Sequence, residues 1–303
     1  MTTEALVRER FGPVVPLLDR GLANIKFRAD GALVRVNEAA RPDVALGRFR
    51  KAAFCTALAE GCGVPVARVL EVGTLANGRP YSLEAWVDAE PADLVTDPAR
   101  RDHLWHDLGA AIRTVHAAPL DEPEAYAMGF DGEGPTETWA AHLEAVLPAL
   151  EHDRALGLTV AEKTRFVQRL LAFDLDRHPP GVCHGDLKLD NVLIRGDTLA
   201  AVLDWELARY VPAAPGEFST TVEPAVLPSK VGAVARTRPE RDAFRAGLGA
   251  PDEHDLWTFY LSDVATNLHW YPLALAARPD AEILRVRFER YLAGVRDDLA
   301  ALT

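Results

Sequence analysis

Up to Val87 the chain alternates apolar and polar positions, and beyond Asp97 the apolar positions recur at three- and four-residue steps. The runs NIKFRA (24–29) and ALVRVNEA (32–39) flank Asp30-Gly31. An Asp-Gly pair between two such runs is the strongest short signal for a hairpin. ALGRFRKAAFCTALAEG (45–61) reads as a helix, closed by Gly61 and Gly63 just before Val64-Pro65. Two further strands, 67–75 and 79–87, join through Ala76-Asn77-Gly78. The order is hairpin, helix, hairpin.

In DHLWHDLGAAIRTVHAAP, Trp105, Leu108, Ile112 and Val115 form one apolar stripe, which predicts an amphipathic helix. Further helices are predicted around 139–150 and 161–175, and Phe288, Leu292, Val295 and Leu299 make a last stripe near the end. Between them NVLIRGDTLAAVLDW predicts a short strand pair turning at Gly196-Asp197. Residues 209–252 break the period, with Pro212, Pro215, Pro224, Pro228, Pro239 and Pro251 among several glycines. Such a stretch predicts a loop insertion, either a cover over a ligand or a disordered segment.

Composition then narrows the class. The 303 residues are 49% hydrophobic and 26% charged, a globular balance that leaves no room for a low-complexity polymer. Thirty-three basic against 45 acidic residues give a formal charge of −12, so the basic footprint of a nucleic-acid binder is missing. Cys55, Cys62 and Cys183 show no CxxC spacing, which argues against a disulfide framework or zinc site and fits a reducing cytoplasm. No clean apolar segment suggests export, a membrane span or a membrane partner. Oligomeric state is not legible.

The chemistry concentrates in VCHGDLKLDNVLIRGDTLAAVLDWE (182–206). Asp186 and Asn191 fall in a loop between helix and hairpin, and the hairpin turn returns Asp204 to the neighbourhood of Asn191. Two carboxylates and an amide oxygen are thereby gathered, with Lys188 beside them. Hard oxygen ligands with open positions suit Mg2+ shared with substrate phosphates. Phosphoryl transfer needs such a set: a placed carboxylate orients the attacking hydroxyl and takes its proton, while metal ions neutralise the phosphates. On that reading Asp186 is the catalytic carboxylate, Lys188 screens the transferring group, and Asn191 and Asp204 hold the metal. A lone Asp in a loop is ordinarily a turn or cap residue; the full spaced set is a far more specific signal.

HGDLKLDN (184–191) followed by LDWE (203–206) resembles the aminoglycoside phosphotransferase and choline kinase superfamily, small-molecule relatives of the protein kinases. The resemblance runs from Gly21 to Trp270. It implies an α+β, bilobal protein-kinase-like fold: an antiparallel-sheet lobe over 1–88 and a larger, mainly helical lobe over 89–303. ATP would lie between the lobes, with GTP open as the alternative donor. The family's loop aspartate maps to Asp186, its loop asparagine to Asn191 and its metal-binding aspartate to Asp204, while His184 would support the loop.

Gly21 to Asn24 sits where the family's nucleotide loop begins, and Arg35 stands where a phosphate-contacting lysine is usual. The helix glutamate that normally holds that base is replaced, by position, with Ala52. The resemblance then implies that Glu38 or Asp43 compensates, or that Arg35 is held only by nucleotide. Glu84, Ala85, Trp86 and Val87 resemble the hinge whose backbone meets adenine; the other reading is a strand end feeding a loop. The usual Gly-Asp-Pro step after DWE is missing, and Asp255-Leu256 is the best match to the family's Asp-Leu pair, so 209–252 is expected to shape a specialised acceptor pocket.

Acceptor contacts are expected among Asp190, Glu206, Asp255, Asp263, Asn267 and Trp270. On one predicted helix Asp263, Asn267 and Trp270 share a face that suits a polar or cationic ligand, or is an ordinary solvent face. The expected function is ATP- and Mg2+-dependent phosphorylation of a small-molecule hydroxyl, with an antibiotic as the leading acceptor. The rivals are a choline, homoserine or sugar kinase, with Trp205, Trp257, Tyr260, Trp270 and Tyr271 available for an aromatic cage, and a nucleotide-binding module without catalysis. No GxxxxGK[ST] or GxSxG motif occurs, and GCGVPV and GEGPTE lack the third glycine of a dinucleotide fingerprint. His103, His106 and Asp107 are interleaved with Trp105 and Leu108 and read as a helix surface rather than zinc ligands.

Overall fold

The alternating region folds into an antiparallel sheet in the strand order β1-β2-β3-β5-β4. Its strands are β1 (Val15–Leu17), β2 (Asn24–Ala29), β3 (Ala32–Asn37), β4 (Val69–Thr74) and β5 (Pro80–Ala85). The structure is a computed structural model and describes residues 1–17, 24–38, 41–130, 134–135, 137–221, 238–249, 252–277 and 282–301. β2 pairs β3 with Phe27 opposite Val34 and Lys26 opposite Arg35. Cross-strand partners share a face and neighbours alternate, so Phe27, Val34 and Val36 turn one way into a small core with Leu6, Val7, Val14, Leu75 and Tyr81. Asn24, Lys26, Arg35 and Asn37 line the opposite face.

Leu6 and Val7 come from α1 (Thr3–Phe11), a helix the apolar pattern did not announce because only these two of its residues are buried. Its N-terminus is capped by Thr2, whose hydroxyl accepts from the Ala5 amide at 3.2 Å. α2 (Pro42–Gly61) follows the hairpin, starting on a proline at its first turn. Ala52, Cys55 and Ala59 carry α2 into the larger core rather than the sheet's own.

That larger core is built on α3 (Pro98–His116), α4 (Trp139–Glu151) and α5 (Val160–Leu171). Trp105, Leu108, Ile112 and Val115 are fully buried, as the stripe predicts. α5 opens on a reciprocal capping box between Thr159 and Glu162. A three-stranded sheet orders β6 (Glu90–Pro91), β8 (Val192–Arg195) and β9 (Thr198–Val202) as β6-β8-β9. β7 (Pro180–Cys183) pairs antiparallel with β10 (Arg209–Pro212). Val202 donates its amide to Pro65 O at 2.8 Å, which ties the β8–β9 hairpin to the end of α2.

The expected insertion at 209–252 is largely regular structure among its described residues. It holds β10, α6 (Ala213–Thr221) and α7 (Arg238–Gly247), while 222–237 and 250–251 lie outside the described residues. Its glycines were read as chain breakers, but two of them are contact points. A Cβ on Gly216 would meet Val211, and one on Gly247 would overlap the carbonyl oxygen of His106 in α3. α8 (Glu253–Ala277) and α9 (Glu282–Ala301) complete the lobe, with Leu292, Val295 and Leu299 buried. No helix of the described residues is long and apolar enough to cross a membrane.

Candidate active site

β7 delivers the chain into the HGDLKLDN loop (184–191), and the loop is held from below. His184 is fully buried. Its Nδ1 accepts from the Asp186 amide at 3.3 Å and its Nε2 donates to Leu203 O at 2.7 Å, a pairing that fixes the Nε2-protonated tautomer. Trp205 packs on the imidazole at 4.6 Å between ring centroids. Glu217 of α6 accepts the His184 amide at 2.7 Å and lies 3.5 Å from His116 Nε2. Gly185 has φ 80°, and a Cβ there would overlap the Leu207 carbonyl, so only glycine fits this turn. The support expected of His184 is thus visible as contacts on both ring nitrogens.

Asp186 emerges from this base with its side chain about a quarter exposed. One oxygen pairs with the Lys188 ammonium, and the other accepts from Asn191 Nδ2 at 3.2 Å. Asn191 Nδ2 also donates to the Asp186 carbonyl at 2.9 Å. With its nitrogen committed on both contacts, the Asn191 amide leaves its Oδ1 as the group available to a cation. The Asn191 carbonyl accepts the Leu203 amide at 2.8 Å, which brings Asn191 beside the residue preceding Asp204. Asp204 takes a left-handed backbone, φ 67°, a conformation that Asp tolerates better than most side chains. An amide oxygen and a carboxylate at adjoining positions are the hard donors that suit Mg2+.

Arg35 is where the structure departs most from expectation. Its guanidinium is buried and reaches Glu84 at 3.3 Å, Asp204 at 2.8 Å and Glu206 at 2.8 Å. Neither proposed compensating acid takes part: Glu38 pairs with Arg79 and Asp43 with Arg41. Glu84 comes from the next strand but one in sequence and is further held by the Ser82 hydroxyl at 2.8 Å. Burial would raise the Asp204 carboxyl, but Arg35 and Lys26 outweigh it and hold its pKa below the ordinary carboxylate value. Burial and the neighbouring Asp204 push Glu206 the other way, up to about 7.

Glu84 turns its side chain into the Arg35 network, and the amides of Ala85 and Trp86 donate within the lobe, to Arg68 O and Gly31 O. Trp86 offers its ring to Arg28, whose guanidinium sits 4.4 Å from the centroid. Asn24 accepts from Asn37 Nδ2 at 2.8 Å at the sheet's edge, and Gly21 lies outside the described residues.

Beside Gly185 a cavity of about 140 Å³ is lined by Arg209, Ser219, Tyr260, Asp263 and Asn267 among others. Asp263 and Asn267 therefore stand at a pocket next to the catalytic loop. Asp263 is already matched, because Arg209 reaches it at 2.8 Å while also donating to Phe130 O and Gly216 O. The remaining acceptor candidates lie elsewhere. Asp255 is buried at the start of α8 against His178 at 2.9 Å and Arg177 at 3.2 Å. Glu206 belongs to the Arg35 cluster, Asp190 is half-buried in the turn before β8, and Trp270 is exposed with Tyr271 against its edge. Arg209 was missed in the sequence because an Arg opening a strand carries no local mark of a buried pair. Trp205 packs on His184, and Trp257 packs on Phe218 and Tyr260. His103 and His106 lie on the α3 surface against Asp107.

A sheet lobe, a helical lobe and a carboxylate loop facing the sheet define a kinase-like fold. Residues 16–214 match the model of the phosphotransferase enzyme family, and the chain belongs to that family. Among solved structures, the GDP complex of wild-type aminoglycoside 2'-phosphotransferase-IIIa superposes with a TM-score of 0.71 at 15% identity, over 97% of each chain. The streptomycin–ATP ternary complex of APH(2")-IIa gives 0.60 at 14% identity, over 95% of this chain and 96% of that one. At such identities these likenesses show the fold alone. A homoserine kinase from Beijerinckia indica subsp. indica is 33% identical over 140 residues, which is 45% of this chain and 39% of that protein.

Proposed function

We propose that the chain transfers the γ-phosphoryl group of ATP to a hydroxyl of a small molecule. The observation that carries this reading is Asp186 held between Lys188 and Asn191, directly after Gly185, which borders the cavity. In the step, the acceptor oxygen bonds to the γ-phosphorus, the bond to the ADP oxygen breaks, and Asp186 takes the hydroxyl proton. Lys188 keeps the Asp186 carboxylate in place and screens the incoming charge. Asn191 Oδ1 and Asp204 would hold Mg2+, which supplies neutralisation of the phosphates. Arg35 fixes Asp204 relative to the sheet lobe, so the two halves of the site meet in register.

Two acceptor classes have support. The aminoglycosides in the solved neighbours favour an antibiotic, and the homoserine kinase relative favours a compact metabolite. The described pocket walls favour the second: their one carboxylate, Asp263, is neutralised by Arg209, where a polycation calls for an excess of acid. ADP release measured across aminoglycosides, amino alcohols and sugars decides between them. In the same assay Asp186→Asn is expected to lower turnover by about a hundredfold or more with an unchanged melting temperature. Turnover within threefold of the parent would reject Asp186 as the base.

A further inference from the structure

The Arg35 geometry leaves a question of charge. Both terminal nitrogens of Arg35 are committed to carboxylates, and its side chain is only 6% exposed. Three acids surround that single guanidinium. A triphosphate approaching this face would meet net negative charge unless another cation faces it.

Lys26 is such a cation, in addition to Arg48, which acts on Glu206. It lies directly opposite Arg35 in the β2–β3 register and so projects from the same face of the sheet. Around Lys26 the face is polar: Asn24 bonds Asn37, and Arg28 stacks on Trp86 further along. Lys26 is half-buried, where Arg35 is buried. It stands near enough to Arg35, Asp204, Glu84 and Glu206 for each to act on its charge. It also sits on the strand that follows residues 18–23. An ammonium on a flexible stem suits a point contact with phosphate, whereas a guanidinium braced by three carboxylates suits a fixed strut.

We infer that Lys26 of β2 is the phosphate-binding side chain of the sheet lobe, and that Arg35 serves as the strut tying that lobe to Asp204 and Glu206. The two tasks that one lysine on β3 would perform are divided between neighbouring strands. Burial and Arg35 lower the Lys26 ammonium below its ordinary value, and bound phosphate would oppose that shift.

The inference rests on the nucleotide-dependent reading above, and binding measured without acceptor separates the two. A fluorescent ATP analogue and an adenosine analogue are titrated into the full chain and into Lys26→Met, Lys26→Gln and Lys26→Arg, with melting temperature as the check on folding. Lys26→Met and Lys26→Gln are expected to bind the triphosphate about tenfold or more weakly, with adenosine binding unchanged and Lys26→Arg recovering most of the loss. Triphosphate affinity within twofold of the parent in both neutral variants would overturn the assignment while leaving the kinase reading intact. Equal losses of triphosphate and adenosine would overturn it too, since they would mark a structural role. A parent chain that binds neither triphosphate nor adenosine would overturn the nucleotide reading and this inference together.

Discussion

At the residue scale, one guanidinium gathers three carboxylates from distant parts of the chain. Arg35 contacts acids 49, 169 and 171 positions away in the chain, drawn from β5 and from the segment after β9. Removing one partner of a buried ionic cluster costs about 3–5 kcal/mol, because the opposing charges stay buried and unmatched. Arg35→Ala is therefore expected to lower unfolding free energy by about that amount in a denaturant titration. Arg35→Lys should fall between, since an ammonium cannot bridge three carboxylates through a planar fork. A loss below about 1 kcal/mol, the range of exposed pairs, would show that the cluster is solvated. The sequence could bring Asp186, Asn191 and Asp204 together because their spacing is local, one loop and one hairpin, and in the structure Asn191 meets both Asp186 and the residue before Asp204. It could not show what pairs with Arg35, because nothing in the neighbourhood of Arg35, Glu84 or Glu206 encodes a contact made by the fold.

At the element scale, periodicity served well where an element has one buried face and failed where both backbone and side chain pack. α3 was readable from Trp105 to Val115, and the two hairpins from their turns. α1 buries only Leu6 and Val7, too little apolar signal to mark a helix. α7 was hidden for the opposite reason. Its Gly247 and Gly109 of α3 let the two helix backbones approach, so a Cβ at Gly109 would stand 2.6 Å from Phe244 O. Phe244 fills the contact edge-on to Trp105 at 5.6 Å. In a sequence, such a glycine is indistinguishable from a breaker. Gly247→Ala is expected to push α7 off α3 and lower unfolding free energy by about 1–3 kcal/mol, the usual cost of overpacking. Calorimetric melting would check this; a variant as stable as the parent, or more so as expected for glycine to alanine on an open helix face, would deny the close approach.

At the scale of the whole molecule, the two cores are unequal and the boundary between them is not where the chain suggests. Among the described residues the sheet's own core holds eight buried residues, Leu6, Val7, Val14, Phe27, Val34, Val36, Leu75 and Tyr81. α2 follows β3 directly in the chain, yet its Ala52, Cys55 and Ala59 belong to the larger core. Elements with few buried contacts open at lower free energy than the global transition. The sheet should therefore loosen first, with α2 staying behind on the helical lobe. Cys55 reports on the second event, since burial pushes its thiol up to about 12 and leaves little thiolate to react while α2 is packed. In a denaturant series, amide protection in β2 and β3 is expected to fall at lower concentration than the onset of Cys55 alkylation. Cys62, half-buried beyond the end of α2, is expected to react before either. Cys55 labelling in step with exchange at β2 and β3 would place α2 with the sheet and make the Arg35 strut, rather than α2, the mechanical junction between lobes.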